Sequence, residues 1–173
     1  MTQSSLIDDF RTVRFLARGS DALLQELAGI SHERSLAARS VVFRYGDTAQ
    51  SIFLLRDGEV NLEMCAAGVG CLPILTLGSG ELLGWAPVLE HGTYTTTART
   101  KTDARLVELN GTHLLELFAK RPELGYEFMR LLALAMAKRI NTTRMQLLNV
   151  YDAERSQWPE QGSAPDAEGA ASA

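Results

Sequence analysis

Histidine and cysteine are scarce in this 173-residue chain, with three of the first and two of the second. His32, His91 and His113 fall in unrelated segments, and none sits in a pattern with a carboxylate and a nucleophile. Neither a catalytic constellation nor a metal site can be read from them. Long apolar runs are missing too. The longest, Leu131 to Ala137, is stopped by Lys138, far short of the ~20 residues that a bilayer span needs. The opening residues, MTQSSLIDDF, are acidic where an export signal would be basic. A cytoplasmic protein without a membrane anchor is therefore expected. Positive charge is also in short supply. Lys and Arg total 17 against 21 Asp and Glu, a net charge of −4, which argues against a polyanion-binding surface.

What is present is a core. At 46% hydrophobic and 22% charged, the composition is that of a globular protein, and the length suits one domain with a tail. Charge is unevenly spread. Residues 1–119 hold ten basic and 14 acidic groups, residues 120–150 hold six and two, and residues 151–173 hold one and five. A basic stretch thus lies between two acidic ones, and an acidic tail folding back on it is an expectation. Its cations (Lys120, Arg121, Arg130, Lys138, Arg139 and Arg144) spread around a helix rather than forming a stripe.

The chain divides into blocks. Residues 1–30 are expected to be helical, with Leu6, Phe10, Val13 and Phe15 near helical spacing and Asp21 able to cap a short helix ending near Gly29. Residues 31–109 carry short apolar runs (VVF, SIFLL, VNLEM, LPILTL, ARLVEL) separated by glycine turns. That pattern predicts an antiparallel sandwich or roll. Asp57-Gly58 reads as a two-residue hairpin between SIFLLR and EVNLEM. Cys65 and Cys71 flank AAGVG and can face each other across a second hairpin. Without an export signal, reduced thiols in a half-buried strand are expected, with a disulfide switch as the alternative.

Residues 110–154 turn helical again. Asn110 and Thr112 can cap a helix to about Lys120, and Pro122 suits the first turn of a long helix over about 123–154. At 1.5 Å per residue it measures about 45 Å, too long for a roll to cover. Its apolar positions make two stripes. Leu124, Phe128, Leu131 and Ala135 are expected to face the roll. Met129, Leu132, Met136, Ile140, Thr143, Leu147 and Val150 are expected to form a homodimer seam, the alternative being a single broad core-facing stripe. Residues 155–173 are rich in Ala, Gly, Ser and Pro and predict a disordered acidic tail carrying Trp158.

Residues 77–109, LGSGELLGWAPVLEHGTYTTTARTKTDARLVEL, hold the most chemistry. Gly78 and Gly80 permit a tight backbone, Glu81 follows, and LLGWAPVL can make one helical turn before the strand near Tyr94. Free amides around one point make a concavity for an anion.

With its lead-in FLARGSDALLQELA, Gly46-Asp47, Asp57-Gly58-Glu59-Val60, Gly80-Glu81-Leu82-Leu83-Gly84 and the Pro122 helix with Met136-Ala137-Lys138-Arg139, the sequence resembles the cyclic-nucleotide-binding domain. This is the effector module of catabolite-activator and Fnr-type regulators. The resemblance spans roughly 13–150. It implies a mainly β fold, an antiparallel β-roll of jelly-roll type with N-terminal helices and a long C-terminal helix. It makes residues 80–96 the phosphate-binding cassette. Glu81 would hold a ribose hydroxyl, and amides from Leu83 through Gly84 to Trp85 would face the phosphate. Thr143 on the long helix would offer a hydroxyl to the base.

The family's cassette ends in an Arg-Ser/Thr-Ala triplet whose Arg pairs with the phosphate. Here the triplet falls on Tyr94-Thr95-Thr96, so the cofactor implied, cyclic AMP or cyclic GMP, would be held weakly. Arg99 is five positions along, on the opposite face of a regular strand, and Arg139 is the better substitute. The expectation is a non-catalytic module that senses a small polar or nucleotide ligand through Gly80, Glu81, Leu82, Leu83, Gly84, Trp85, Tyr94, Thr95, Thr96, Arg139 and Thr143. The competing expectation is a homodimeric interaction module with a degenerate pocket. The family's transcription factors carry a helix-turn-helix after the long helix. Only the tail follows here, so no direct DNA binding is expected.

Overall fold

The short apolar runs become strands because each alternates or saturates in Val, Ile, Leu and Phe between glycine turns. The structure, a computed structural model, describes residues 10–11, 13–66, 68, 70–89 and 92–156. One antiparallel sheet contains β1 (Ser31–Leu36), β3 (Ser51–Asp57), β6 (Leu82–Leu83) and β8 (Ala104–Asn110), in the order β1-β8-β3-β6. The other contains β2 (Val41–Phe43), β4 (Val60–Ala66), β5 (Gly70–Leu77) and β7 (Thr97–Thr100), in the order β2-β7-β4-β5. The helices are α1 (Asp21–Gly29), α2 (Ala86–Leu89), α3 (Gly111–Lys120) and α4 (Pro122–Ser156). This is the expected antiparallel roll with flanking helices.

Two apolar clusters hold it together. Between the sheets lie Phe43, Phe53, Leu55, Val60, Leu62, Leu77, Leu83, Tyr94, Ala98 and Leu106. On the other face of the β1-β8-β3-β6 sheet, Phe10, Phe15, Leu16, Leu23, Leu24 and Leu27 pack with Ile52, Leu54, Leu82, Val107, Leu109 and α4. The sheet is therefore covered on both sides. That is why Ser51 to Leu55 are all buried, a continuous run instead of the alternation of a one-sided strand. Each large aliphatic buried there contributes about 1.5–3 kcal/mol.

Asp57-Gly58 does not make a hairpin. β3 pairs with β6 and β8, and β4 pairs with β5 and β7, so this turn carries the chain from one sheet to the other. It packs on a second crossing at 101–103. Glu59 N–H donates to Thr102 Oγ1 at 3.0 Å, and Lys101 N–H donates to the Glu59 carbonyl at 2.8 Å. Gly58 has φ +90°, and a Cβ there would stand 2.3 Å from the Asp103 carbonyl oxygen. The glycine serves that close approach.

Helix ends follow local chemistry, with one correction. Ser20, not Asp21, caps α1, its Oγ accepting from Leu23 N–H at 3.3 Å. The Glu127 carboxylate on α4 accepts from Ser20 N–H at 2.6 Å and Oγ–H at 2.7 Å, tying the two helices together. Asn110 caps α3 through His113 N–H. α4 begins at Pro122, where a missing N–H costs nothing.

The stripes of α4 are also revised. Leu124, Phe128 and Leu131 are buried in the helix-side cluster, and Ala135 is partly buried against it. Leu132, expected on the outer seam, is buried there as well, and Met136 packs beside it. The helix turns 100° per residue, so one broad contact face takes in residues from both stripes. Met129 and Ile140 remain exposed. The chain divides after Lys138 into two compact units. The second begins at Arg139 and contains α4 through Ser156, with Ile140, Met145 and Leu148 exposed. Leu6, the side chains of Leu147 and Val150, and the tail from 157, including Trp158, lie outside the described residues.

Cys65 and Cys71 form a disulfide, correcting the expectation of reduced thiols. They are register partners on β4 and β5, and both are exposed where half-burial was expected. Among the described residues no helix is long and apolar enough to cross a membrane.

Candidate ligand-binding cassette

The cassette starts at a joint between three segments. Gly80 (φ +85°) donates its N–H to the Leu55 carbonyl at 2.7 Å, and its own carbonyl accepts from Phe15 N–H at 3.0 Å. A Cβ at Gly80 would lie 2.7 Å from the Arg14 amide nitrogen, so only glycine fits. Gly78, read from sequence as an equally tight position, has open space around it and an ordinary φ. Glu81 is half-buried, and its Oε2 accepts from Gly78 N–H at 2.9 Å.

Leu82 and Leu83 form β6 against Leu54 and Phe53 and point to opposite sides. Leu82 enters the helix-side cluster and Leu83 the roll interior. Gly84 has φ +73°. A Cβ there would meet Phe43 at 3.0 Å, Tyr94 at 3.1 Å and the Ser51 carbonyl at 3.3 Å. Trp85 is partly buried against the helix-side cluster, leading into α2.

Tyr94 decides the character of the site. It follows the cassette turn yet is only 6% exposed. Its ring stacks on Phe43, with centroids 3.9 Å apart and 15° between planes. Its hydroxyl donates to the Ser51 carbonyl at 2.8 Å and accepts from Ser51 N–H at 3.2 Å. Burial pushes its phenol above the ordinary value, outweighing those backbone hydrogen bonds. Thr95 is exposed and Thr96 half-buried beside it.

Arg34 lies over the Phe53 ring, 6.0 Å from its centroid, and 3.6 Å from Glu108. Arg99 Nε is 3.2 Å from both carboxylate oxygens of the buried Glu63, and its Nη1 donates to the Arg39 carbonyl. Phe43, Ser51 and Gly84, which close around Tyr94, bring no positive charge. Arg139 and Thr143 belong to the second unit, on α4, the first half-buried and the second exposed. Sequence reasoning missed Phe43 and Ser51. Each sits 43 or more residues from Tyr94, and nothing local in VVF or SIFLL marks either as its partner. Outside the roll, an open cleft of about 610 Å³ lies between α2 and α3, with Glu116 its only charged lining residue among those described.

The model of the cyclic nucleotide-binding domain matches residues 33–121. The chain belongs to that family. In sequence this cyclic nucleotide-binding domain is 29% identical over 92 residues to the cyclic AMP receptor protein of Thermus thermophilus, covering 53% of this chain and 43% of that protein. The chain spans less than half the length of the curated relatives it matches. In fold it is similar to a cyclic nucleotide-binding domain from Methylobacillus flagellatus, with TM-score 0.72 and 16% identity over 85% of this chain and 83% of that one. It is also similar to the regulatory subunit of a cAMP-independent protein kinase A from Trypanosoma brucei, solved as a triple mutant bound to cAMP. There the TM-score is 0.59 with 16% identity, over 75% and 51%.

Proposed function

We propose that this cyclic nucleotide-binding domain is a non-catalytic regulatory module that acts as a homodimer through α4 and does not hold cyclic AMP or cyclic GMP in the family's manner. The observation that carries this is Tyr94. The cassette position at which the family's resemblance calls for arginine is occupied by a neutral side chain that has become part of the roll interior. The residues present do not fit a cyclic phosphate. Losing a charge-assisted hydrogen bond removes about 1.5–3 kcal/mol, and leaving a buried phosphate without a counter-charge costs more. At 1.4 kcal/mol per tenfold, affinity falls by one to several powers of ten. The Trypanosoma relative offers a parallel. It is described as cAMP-independent, and its cAMP-bound form carries a threonine-to-arginine change.

Dimerisation is supported by apolar side chains that α4 leaves in solvent. Ile140 is 50% exposed, Met145 60% and Leu148 54%. Sedimentation at tens of micromolar tests this part. A dimer that Ile140→Glu converts to monomer is expected, and a wild-type monomer contradicts it. The cyclic-nucleotide part is tested by thermal shift with cyclic AMP, cyclic GMP and cyclic dinucleotides. No shift at millimolar mononucleotide is expected, and a shift lost in Glu81→Ala contradicts it.

A second reading is supported by Glu81, a half-buried carboxylate still anchored by Gly78. In this reading the cassette takes a small polar ligand that offers hydroxyls and no strong anion. Glu81, the amides of Leu83, Gly84 and Trp85, Thr95 and Thr96 would receive it. Occupancy would reposition α4 only if the ligand binds one helix position better than another.

A further inference from the structure

β4 outruns its sheet. Its pairing with β7 covers Val60 to Glu63 and ends there, while its pairing with the edge strand β5 continues to Ala66 and Gly70. A register shift falls at the same place, between Leu62 and Glu63. Past that point, Met64–Ala66 and Gly70–Leu72 form a two-stranded ribbon with no third strand beside it among the described residues. A ribbon of two strands is marginal in water. This one buries little: Met64 is 58% exposed and Leu72 55%. Besides its own ladder, the Cys65–Cys71 disulfide crosses it.

We propose that Cys65–Cys71 is a redox-responsive clasp that decides whether this ribbon is closed. Both cysteines are exposed, so a dithiol reductant of the thioredoxin class can reach the sulfurs. Its thiolate attacks one Sγ, the Cys65–Cys71 bond breaks, and a mixed disulfide forms. The second thiol of the reductant then displaces the remaining cysteine. The protein gains two electrons and two protons as two thiols, and the reductant leaves as its own disulfide. A small disulfide oxidant runs the exchange backwards. In a reducing compartment the clasp rests open and closes under oxidation, the pattern of redox-sensing cysteines.

Opening has a built-in limit. The ribbon can fray only back to Glu63, where β7 pairing resumes and Glu63, buried, holds Arg99. The roll interior is untouched. What changes is whether Met64 and Leu72 form a fixed apolar surface or part of a loosened strand end.

The test uses the full-length protein, oxidised with glutathione disulfide and then titrated with dithiothreitol. Thiols are counted, and amide hydrogen exchange is followed by mass spectrometry. Two thiols should appear on reduction. Exchange across 64–66 and 70–72 should quicken by about tenfold or more, while β3 and β8 stay protected. A double variant, Cys65→Ser with Cys71→Ser, should exchange fast there with or without reductant. A disulfide that never forms under glutathione disulfide overturns the proposal. So do ribbon amides indifferent to reduction, or a response to dithiothreitol that survives in the double variant.

Discussion

The surroundings of Tyr94 and the ribbon beyond Glu63 use similar residue types to opposite ends. Tyr94 follows a loop turn and has a polar hydroxyl, yet it is buried, stacked and fully hydrogen-bonded at its oxygen. Met64 and Leu72 are register partners on β4 and β5 and are apolar, yet both are exposed. The difference is the second layer. At Tyr94 both sheets contribute, with Phe43 from β2 and Ser51 from the start of β3, whereas past Glu63 no strand lies alongside among the described residues. Burial belongs to layers, and residue type only permits it. In this protein the layering buries Tyr94 and leaves a strand end crossed by a disulfide.

That contrast can be broken most forcibly from the helix side. Phe128→Ala removes a ring that touches Phe15 and Phe118 and should cost about 3–5 kcal/mol in denaturant unfolding. Gly84→Ala should cost about 2–3 kcal/mol, since it combines left-handed backbone with contacts on Phe43 and Tyr94. Gly68→Ala has nearly the same φ, +79°, with nothing within 4 Å, and should lose only about 1 kcal/mol. If the two glycines cost the same, the cassette is not packed as described.

Tyr94→Phe keeps the stack and removes the hydroxyl, with an expected loss of about 1–2 kcal/mol at neutral pH. The phenol is raised above 10.0 by burial, so the fold favours its neutral form. Its contribution is complete below about pH 10 and is lost as pH climbs through the raised value. Melting temperatures of wild type and variant should therefore converge above pH 10. Leu72→Thr on the ribbon should stay within about 0.5 kcal/mol of wild type.

The roll was legible in short apolar runs punctuated by glycine, because those are local signals. Sheet membership was not. Asp57-Gly58 has hairpin chemistry, but where the chain goes after it depends on β8 pairing with β3, some 50 residues away. Leu132 shows the same limit on a helix. Its spacing fits an outer seam equally well, and only packing in the helix-side core decides. In the cassette, Gly80 was readable as backbone that must be glycine, and Tyr94 as a departure from arginine. Its inward turn onto Phe43 and Ser51 was not readable, since no neighbour in sequence records that contact. For the cysteines, spacing foretold the facing positions but not the bond.

The central claim is that the cassette no longer receives a cyclic phosphate, and amide resonances of Gly80 to Trp85 report on it directly. Titrated with cyclic AMP to several millimolar, they should stay where they are in the free protein. Saturable movement of those resonances, abolished in Glu81→Ala, would contradict the account.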